Sequence, residues 1–126
     1  MALVIVFLGG GAGSVSRYFL SVYISTLWNG NFPPGTVFIN LVGCFLIGFL
    51  GGFSEKLGID PNLRLLLQTG FLGGFTTFSS FGLETFQLVR KGELVLASTN
   101  LLVSNLVGVL LVFGGFYLAK LLLSRV

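Results

Sequence analysis

Residues 73 to 81 read GGFTTFSSF, and they place two glycines, four hydroxyls and three phenylalanines inside a run otherwise apolar enough to cross a membrane. Adjacent glycines and hydroxyl side chains let a helix open in lipid, provided the freed amides and carbonyls find partners within protein or water. Freed carbonyls can hold a cation, whereas half-helix N-termini and hydroxyls can hold an anion. Phe78 and Phe81 are three residues apart and share one helix face. A phenyl ring has a negative face and a positive edge, so two rings presented edge-on can coordinate an anion. Ordinary aromatic packing is the other reading, and the residues alone leave both open.

Other polar residues fall in stripes. Thr36, Asn40, Gly43 and Cys44, then Gly48 and Gly51, follow one helical face, and Asn100, Ser104 and Gly108 recur every four residues. Neither stripe carries charge. Asn, Ser and Thr offer N–H and O–H donors, which suit an anion or a hydrogen-bonded partner helix, the latter worth roughly 0.6–2 kcal/mol per contact. Arg17 lies about fifteen residues into an apolar run, where a central charge costs about 2.5–3.5 kcal/mol on insertion scales. It either snorkels to an interface or faces an aqueous vestibule with a positive end, and a vestibule of that sign favours an anion. Glu84 is either a counter-charge or an interfacial residue.

Four apolar segments are needed to carry these residues. The chain is 126 residues long, 54% hydrophobic and 9% charged, with a mean hydropathy of +0.99. Soluble domains carry about 25% charge, so the composition specifies a single all-α integral membrane domain spanning residues 1–126. A spanning helix needs about 20 mostly apolar residues. Candidate spans run from Ala2 to Leu27, Thr36 to Phe53, Leu63 to Val89 and Leu94 to Leu123. The loop WNGNFPPG separates the first two, SEKLGIDPN the next, and RKGE the last. Asp60 is placed to cap a helix that Pro61 begins. The third span is the one expected to break, at GGFTTFSSF. Short connections make successive spans antiparallel and put both termini on one side. Gly9/Gly13, Gly48/Gly52 and Gly70/Gly74 form small-xxx-small pairs suited to close helix packing.

Loop charge gives orientation through the excess of Lys and Arg on the cytoplasmic side. Lys56, Arg64, Lys120 and Arg125 are expected on the terminal side, against Arg90 and Lys91 on the other. So weak a bias is compatible with insertion in both orientations or with one noisy orientation. The net charge of +3 and the absence of any basic run beyond Arg90-Lys91 do not suggest nucleic acid, and none is expected as a partner. With no histidine and one cysteine, Cys44, an intrachain disulfide and a Cys/His metal site are both excluded. GGGAGSVSR at residues 9 to 17 lacks the preceding strand that a nucleotide-binding glycine loop requires. No nucleophile–base pair, paired carboxylate or histidine suggests an enzyme.

Three stretches together carry a specific resemblance: GGGAGSVSR ending in Arg17, GTVFINLVG at residues 35 to 43 with Asn40, and GFLGGFTTFSSF at residues 70 to 81. In this order, within a four-span chain, they resemble the Fluc (CrcB) fluoride channels over essentially the whole length. The resemblance implies a cell-membrane protein that exports fluoride passively and protects the cell from it. It also implies an antiparallel, dual-topology homodimer with two pores along the interface. It assigns Phe78 and Phe81 as pore phenylalanines, Asn40 as the pore-lining asparagine and Ser104 as the serine of the fourth span. Thr77 and Ser80 belong to the same polar track, and Arg17 to the vestibule. Main-chain carbonyls of Gly73 and Thr76 from both chains would hold a structural Na⁺. Asn100 stands where many members have tyrosine, and Gly108 where a second hydroxyl is expected. A small four-span multidrug exporter would need a membrane carboxylate to exchange protons, and the first span has none. A non-conducting packing subunit would explain the glycines but not a broken, hydroxyl-rich motif beside two polar stripes.

Overall fold

The computed structural model describes residues 1–124. Arg125, counted above with the terminal-side charges, lies outside them. Every regular element is helical. α1 (Ala2–Thr26) and α2 (Pro34–Leu57) are unbroken. The third span is two helices, α3 over residues 61–75 and α4 (Phe78–Arg90), joined by two extended residues. α5 (Leu94–Leu123) closes the chain.

α1, α2 and α5 are each long and apolar enough to cross a membrane. At 1.5 Å per residue α3 is about 22 Å long and α4 about 20 Å, so neither spans a hydrocarbon core of about 30 Å unaided. Joined end to end they make the fourth crossing. The protein is therefore a multi-pass, all-helical membrane chain.

Local chemistry sets the helix ends. Asp60 accepts hydrogen bonds from the Asn62 and Leu63 amides at 2.9 and 3.1 Å and caps α3, with Pro61 at its first position. α2 is longer at both ends than the expected Thr36 to Phe53. Pro34 already occupies the first helical position, where its missing N–H costs nothing. At the other end Ser54 to Leu57 continue the helix until Gly58 stops it at φ 74°, a conformation that L side chains resist. The expected loop SEKLGIDPN thus shrinks to residues 58–60.

Two contacts fix which ends lie together. Lys120 Nζ and Glu55 Oε1 pair at 2.6 Å, joining the last turns of α2 and α5. At the opposite end Asn31 Nδ2 donates to Glu93 Oε1 at 3.2 Å, tying the α1–α2 loop to the α4–α5 turn. The antiparallel order read from loop lengths is the order observed.

Glycines set the helix spacing, as the small-xxx-small pairs predict. On α1, Gly9 and Gly13 face the backbone of Leu66, Gly70 and Phe71 on α3, and Gly74 faces Gly10. On α2, Gly48 and Gly52 lie against the carbonyls of Val112 and Phe116 on α5, while Gly115 of α5 lies against the Phe45 carbonyl. A Cβ at these positions would collide with main chain, which cannot turn aside as a side-chain tip can. Lipid tails are as apolar as leucine and give no hydrophobic drive between helices, so this backbone proximity supplies the dispersion contact that joins them.

Candidate functional site

The site begins at the break. Thr76 (φ −80°, ψ 157°) and Thr77 (φ −148°, ψ 119°) are extended, whereas Gly73 and Gly74 remain helical. Of the glycines of GGFTTFSSF, Gly74 packs on Gly10 of α1 while Gly73 meets no other helix, and the threonines carry the opening. Thr76 Oγ1 donates to the Leu72 carbonyl at 3.0 Å, as does the Thr76 amide, so this carbonyl closes α3 with two bonds. Thr77 starts α4 as its N-cap: Oγ1 accepts from the Ser80 amide at 3.2 Å and donates to Ser80 Oγ at 3.2 Å. Ser79 Oγ lies 3.3 Å from the same hydroxyl.

An extended stretch inside lipid needs external partners for its backbone, and Asn40 of α2 supplies them. Its Nδ2 donates to the Thr77 carbonyl at 2.9 Å, and its Oδ1 accepts from the Thr77 amide at 2.8 Å. One side-chain amide thus imitates a neighbouring strand. In a continuous helix the Thr77 amide would bond the Gly73 carbonyl four residues earlier. Diverted to Asn40, it leaves the Gly73 carbonyl without a donor among the described residues, and the Thr76 carbonyl is likewise without one.

Around this break lies an open groove of about 360 Å³. Asn40, Thr76, Thr77, Phe78, Phe81 and Ser104 all line it, together with Gly73. Residues widely separated in sequence meet here because α2, the break and α5 converge. The Phe78 and Phe81 rings are 5.4 Å apart between centroids and tilted by 48°. Their environments differ sharply, with Phe81 6% exposed and Phe78 79% exposed. Phe71 and Phe75 stack with centroids 5.7 Å apart and line no part of the groove, and Phe75 is buried with its ring toward Gly43 of α2.

Some sequence-derived candidates lie beside the groove and not on its wall. Ser80 packs behind Thr77 through the bonds above. Arg17 is half-buried, makes no side-chain hydrogen bond or ion pair among the described residues, and does not line the groove. Of the fourth-span stripe, Ser104 reaches the groove and Asn100 does not. Asn100 is fully buried: its Nδ2 donates to Thr85 Oγ1 at 2.8 Å, Thr85 Oγ1 donates to the Phe81 carbonyl at 2.8 Å, and its Oδ1 accepts from Ser104 Oγ at 3.3 Å. This relay fastens α5 to the backbone of Phe81. Glu84, of open role in the sequence, accepts from Thr36 Oγ1 at 2.7 Å, and its other oxygen is buried without a partner.

Sequence reasoning missed Gln68 and Asn105 as groove-lining residues, whereas Cys44, a member of the α2 stripe, does line the groove. Gln68 lies in the wide-turned π segment Leu65–Leu72 and Asn105 in another, Val103–Val107. Such turns concentrate at functional sites. The available signal was a lone glutamine in the apolar run LLLQTG and a second amide next to Ser104. Among the described residues no group of three His, Cys, Asp or Glu side chains is placed to hold a metal ion.

With this geometry in view, residues 4–116 match the family model of the CrcB-like proteins, described as Camphor Resistance (CrcB). A protein of Hydrogenobaculum sp., named fluoride-specific ion channel FluC, is 46% identical over 118 residues, covering 93% of this chain and 96% of its own. A protein of the same name from Chlorobium phaeobacteroides is 45% identical over 121 residues, covering 95% and 94%. Another, from Maridesulfovibrio salexigens, is 38% identical over 117 residues, covering 92% and 93%.

Proposed function

The chain belongs to the CrcB-like family, and from that premise we propose that it is a passive, fluoride-selective channel that exports fluoride and so protects the cell. The observation that carries the reading is the meeting of Phe78 and Phe81 with Asn40, Thr77 and Ser104 on one groove inside the membrane. Fluoride holds water strongly, so a pore must replace those hydrogen bonds. Hydroxyl and amide donors with positive ring edges can do so without a fixed charge that would trap the ion. Chloride is larger, and a narrow path between stiff rings excludes it.

A single chain supplies one wall. Phe78 is 79% exposed, and the Gly73 and Thr76 carbonyls, without donors, would be costly if left open to hydrocarbon. We assign the opposite wall to a second copy, inverted in the membrane, so that two equivalent paths run along an antiparallel dimer interface. Near-balanced loop charge supports insertion in both orientations. Cysteine placed at Lys91 in the α4–α5 turn, with Cys44 replaced by alanine, should label in roughly half the chains from either side; labelling from one side alone would sink this topology.

The unpartnered Gly73 and Thr76 carbonyls fit a hard monovalent cation, and we assign them, from both copies, to a structural Na⁺. Its charge would neutralise carbonyl dipoles that otherwise repel across the interface. Thr76 contributes its main chain, its hydroxyl being turned back onto the Leu72 carbonyl. Replacing Na⁺ by a bulky organic cation should weaken the dimer, and an indifferent protein would remove the site.

The direct test is anion efflux from liposomes containing the purified protein. Fluoride should leave quickly and chloride should be retained. Equal passage of both anions, or of neither, would refute the assignment.

A further inference from the structure

A second cavity, of about 370 Å³, opens at the start of α3 and is lined by Arg64, Gln68, Leu65 and Thr69, with Ile59 and Pro61. Gln68 lines this cavity and the groove as well. It therefore stands between the two, one helical turn beyond Arg64 and within the π segment Leu65–Leu72.

The pair is arranged asymmetrically. Arg64 Nε donates to Gln68 Oε1 at 3.1 Å. That bond occupies the carbonyl oxygen of the amide, the one atom of Gln68 that would repel an anion. Both Nε2 N–H groups remain without an acceptor among the described residues, and so do the terminal guanidinium nitrogens of Arg64. No acidic side chain lines either cavity. Asp60, the nearest in sequence, spends Oδ1 on the Asn62 and Leu63 amides. The result is a fixed positive charge at the membrane boundary, followed one turn deeper by two free donors, followed by the groove.

We propose that Arg64 and Gln68 form the mouth of the anion path on the side of the chain termini, Arg64 drawing fluoride in and holding the Gln68 amide with its donors free for the ion. This rests on the channel reading above and adds to it a residue pair and a route. Gln68 touches the ion, and Arg64 acts as both attractor and positioning residue. A guanidinium suits this double task because one N–H fixes the amide while the others stay free.

The experiment uses the full chain in liposomes, with the unsubstituted protein measured first. If that protein passes no fluoride, the channel reading itself fails. Given its efflux, Gln68→Leu should slow fluoride about tenfold, since each such decade corresponds to about 1.4 kcal/mol. Gln68→Glu, of the same shape but bearing a like charge, should slow it further. Arg64→Gln should raise the fluoride concentration giving half-maximal current and weaken its dependence on ionic strength, which screens fixed charge.

A purely structural role would not reproduce the accessibility result. Gln68→Cys should react with a water-soluble anionic thiol reagent, fluoride should slow that reaction, and modification should stop efflux. Each preparation is scaled to its own untreated rate, with the unsubstituted chain treated in parallel to report Cys44. Efflux at the full rate in Gln68→Leu and Gln68→Glu overturns the proposal. So does a position 68 thiol that stays unreactive, or that reacts without protection by fluoride.

Discussion

α2 makes two contacts of opposite kind. Toward α5 it presents Gly48 and Gly52 to the carbonyls of Val112 and Phe116, a seam built on the absence of side chains. Toward the α3–α4 break it presents Asn40, whose amide pairs both ways with the Thr77 backbone. The seam is a matter of volume and tolerates no added atom. The break is a matter of donors and acceptors, and its volume is partly open. Substitutions should therefore separate folding from conduction along a single helix.

The largest effect is expected at Asn40. Asn40→Asp keeps the shape but points a carboxylate oxygen at the Thr77 carbonyl and places a like charge beside the anion path. Fluoride efflux should fall by more than about 100-fold, because an unpaired charge worth about 3 kcal/mol on the barrier has that effect. Normal efflux from correctly folded Asn40→Asp protein would remove the residue from the path.

Gly48→Ala tests the other contact. Its Cβ would meet the Val112 backbone, and overpacking of this kind costs about 1–3 kcal/mol. Thermal unfolding in detergent should shift downward, while the protein that remains folded should conduct at its usual rate per molecule. A stable Gly48→Ala chain with impaired flux would erase the distinction between the two contacts.

The rings sharpen it further. Phe78→Ile and Phe81→Ile remove the quadrupole while leaving an apolar side chain, and such swaps usually cost under about 1.5 kcal/mol in packing. Efflux should nevertheless drop by about tenfold or more, a decade being worth about 1.4 kcal/mol. Phe71→Ile and Phe75→Ile, outside the groove lining, should affect stability more than flux. Equal flux losses at all four positions would defeat the ring-edge account.

Thr76→Ser should have the smallest effect. The hydroxyl that bonds the Leu72 carbonyl is retained, and only the methyl facing Gly43 is lost, about 0.8 kcal/mol of buried apolar surface. Efflux and melting temperature should both stay close to those of the unsubstituted chain.

The membrane class, the four crossings and the glycine seams were legible because each rests on composition and spacing along one helix. GGFTTFSSF announced a break for the same reason. Which of its residues opens was not legible, since glycine and threonine both permit an extended backbone and only the packing of Gly70 and Gly74 on α1 decides. Asn40 read equally well as a donor to an anion or to a partner helix. Its bond to Thr77 involves a residue 37 positions away, beyond any local pattern. Asn100 looked like a stripe member with Ser104, yet Asn100 is a buried anchor tied to Thr85 while Ser104 lines the groove. Gln68 escaped notice because one glutamine in an apolar run has no period.

The two-way bond between Asn40 and Thr77 also bears on how the chain is made. Residues 61–90 are a poor candidate for independent entry into a bilayer: two short helices around a stretch whose backbone needs an outside partner. Asn40 leaves the ribosome 37 residues before Thr77, so its amide is already in the membrane on α2 when the break arrives. Asn100, which fastens α5 to α4, follows 15 residues after Thr85. The polarity of synthesis thus delivers a receptor for each difficult segment before the segment itself or directly behind it. A circular permutation starting the chain at residue 58 would present the break to lipid with no partner waiting.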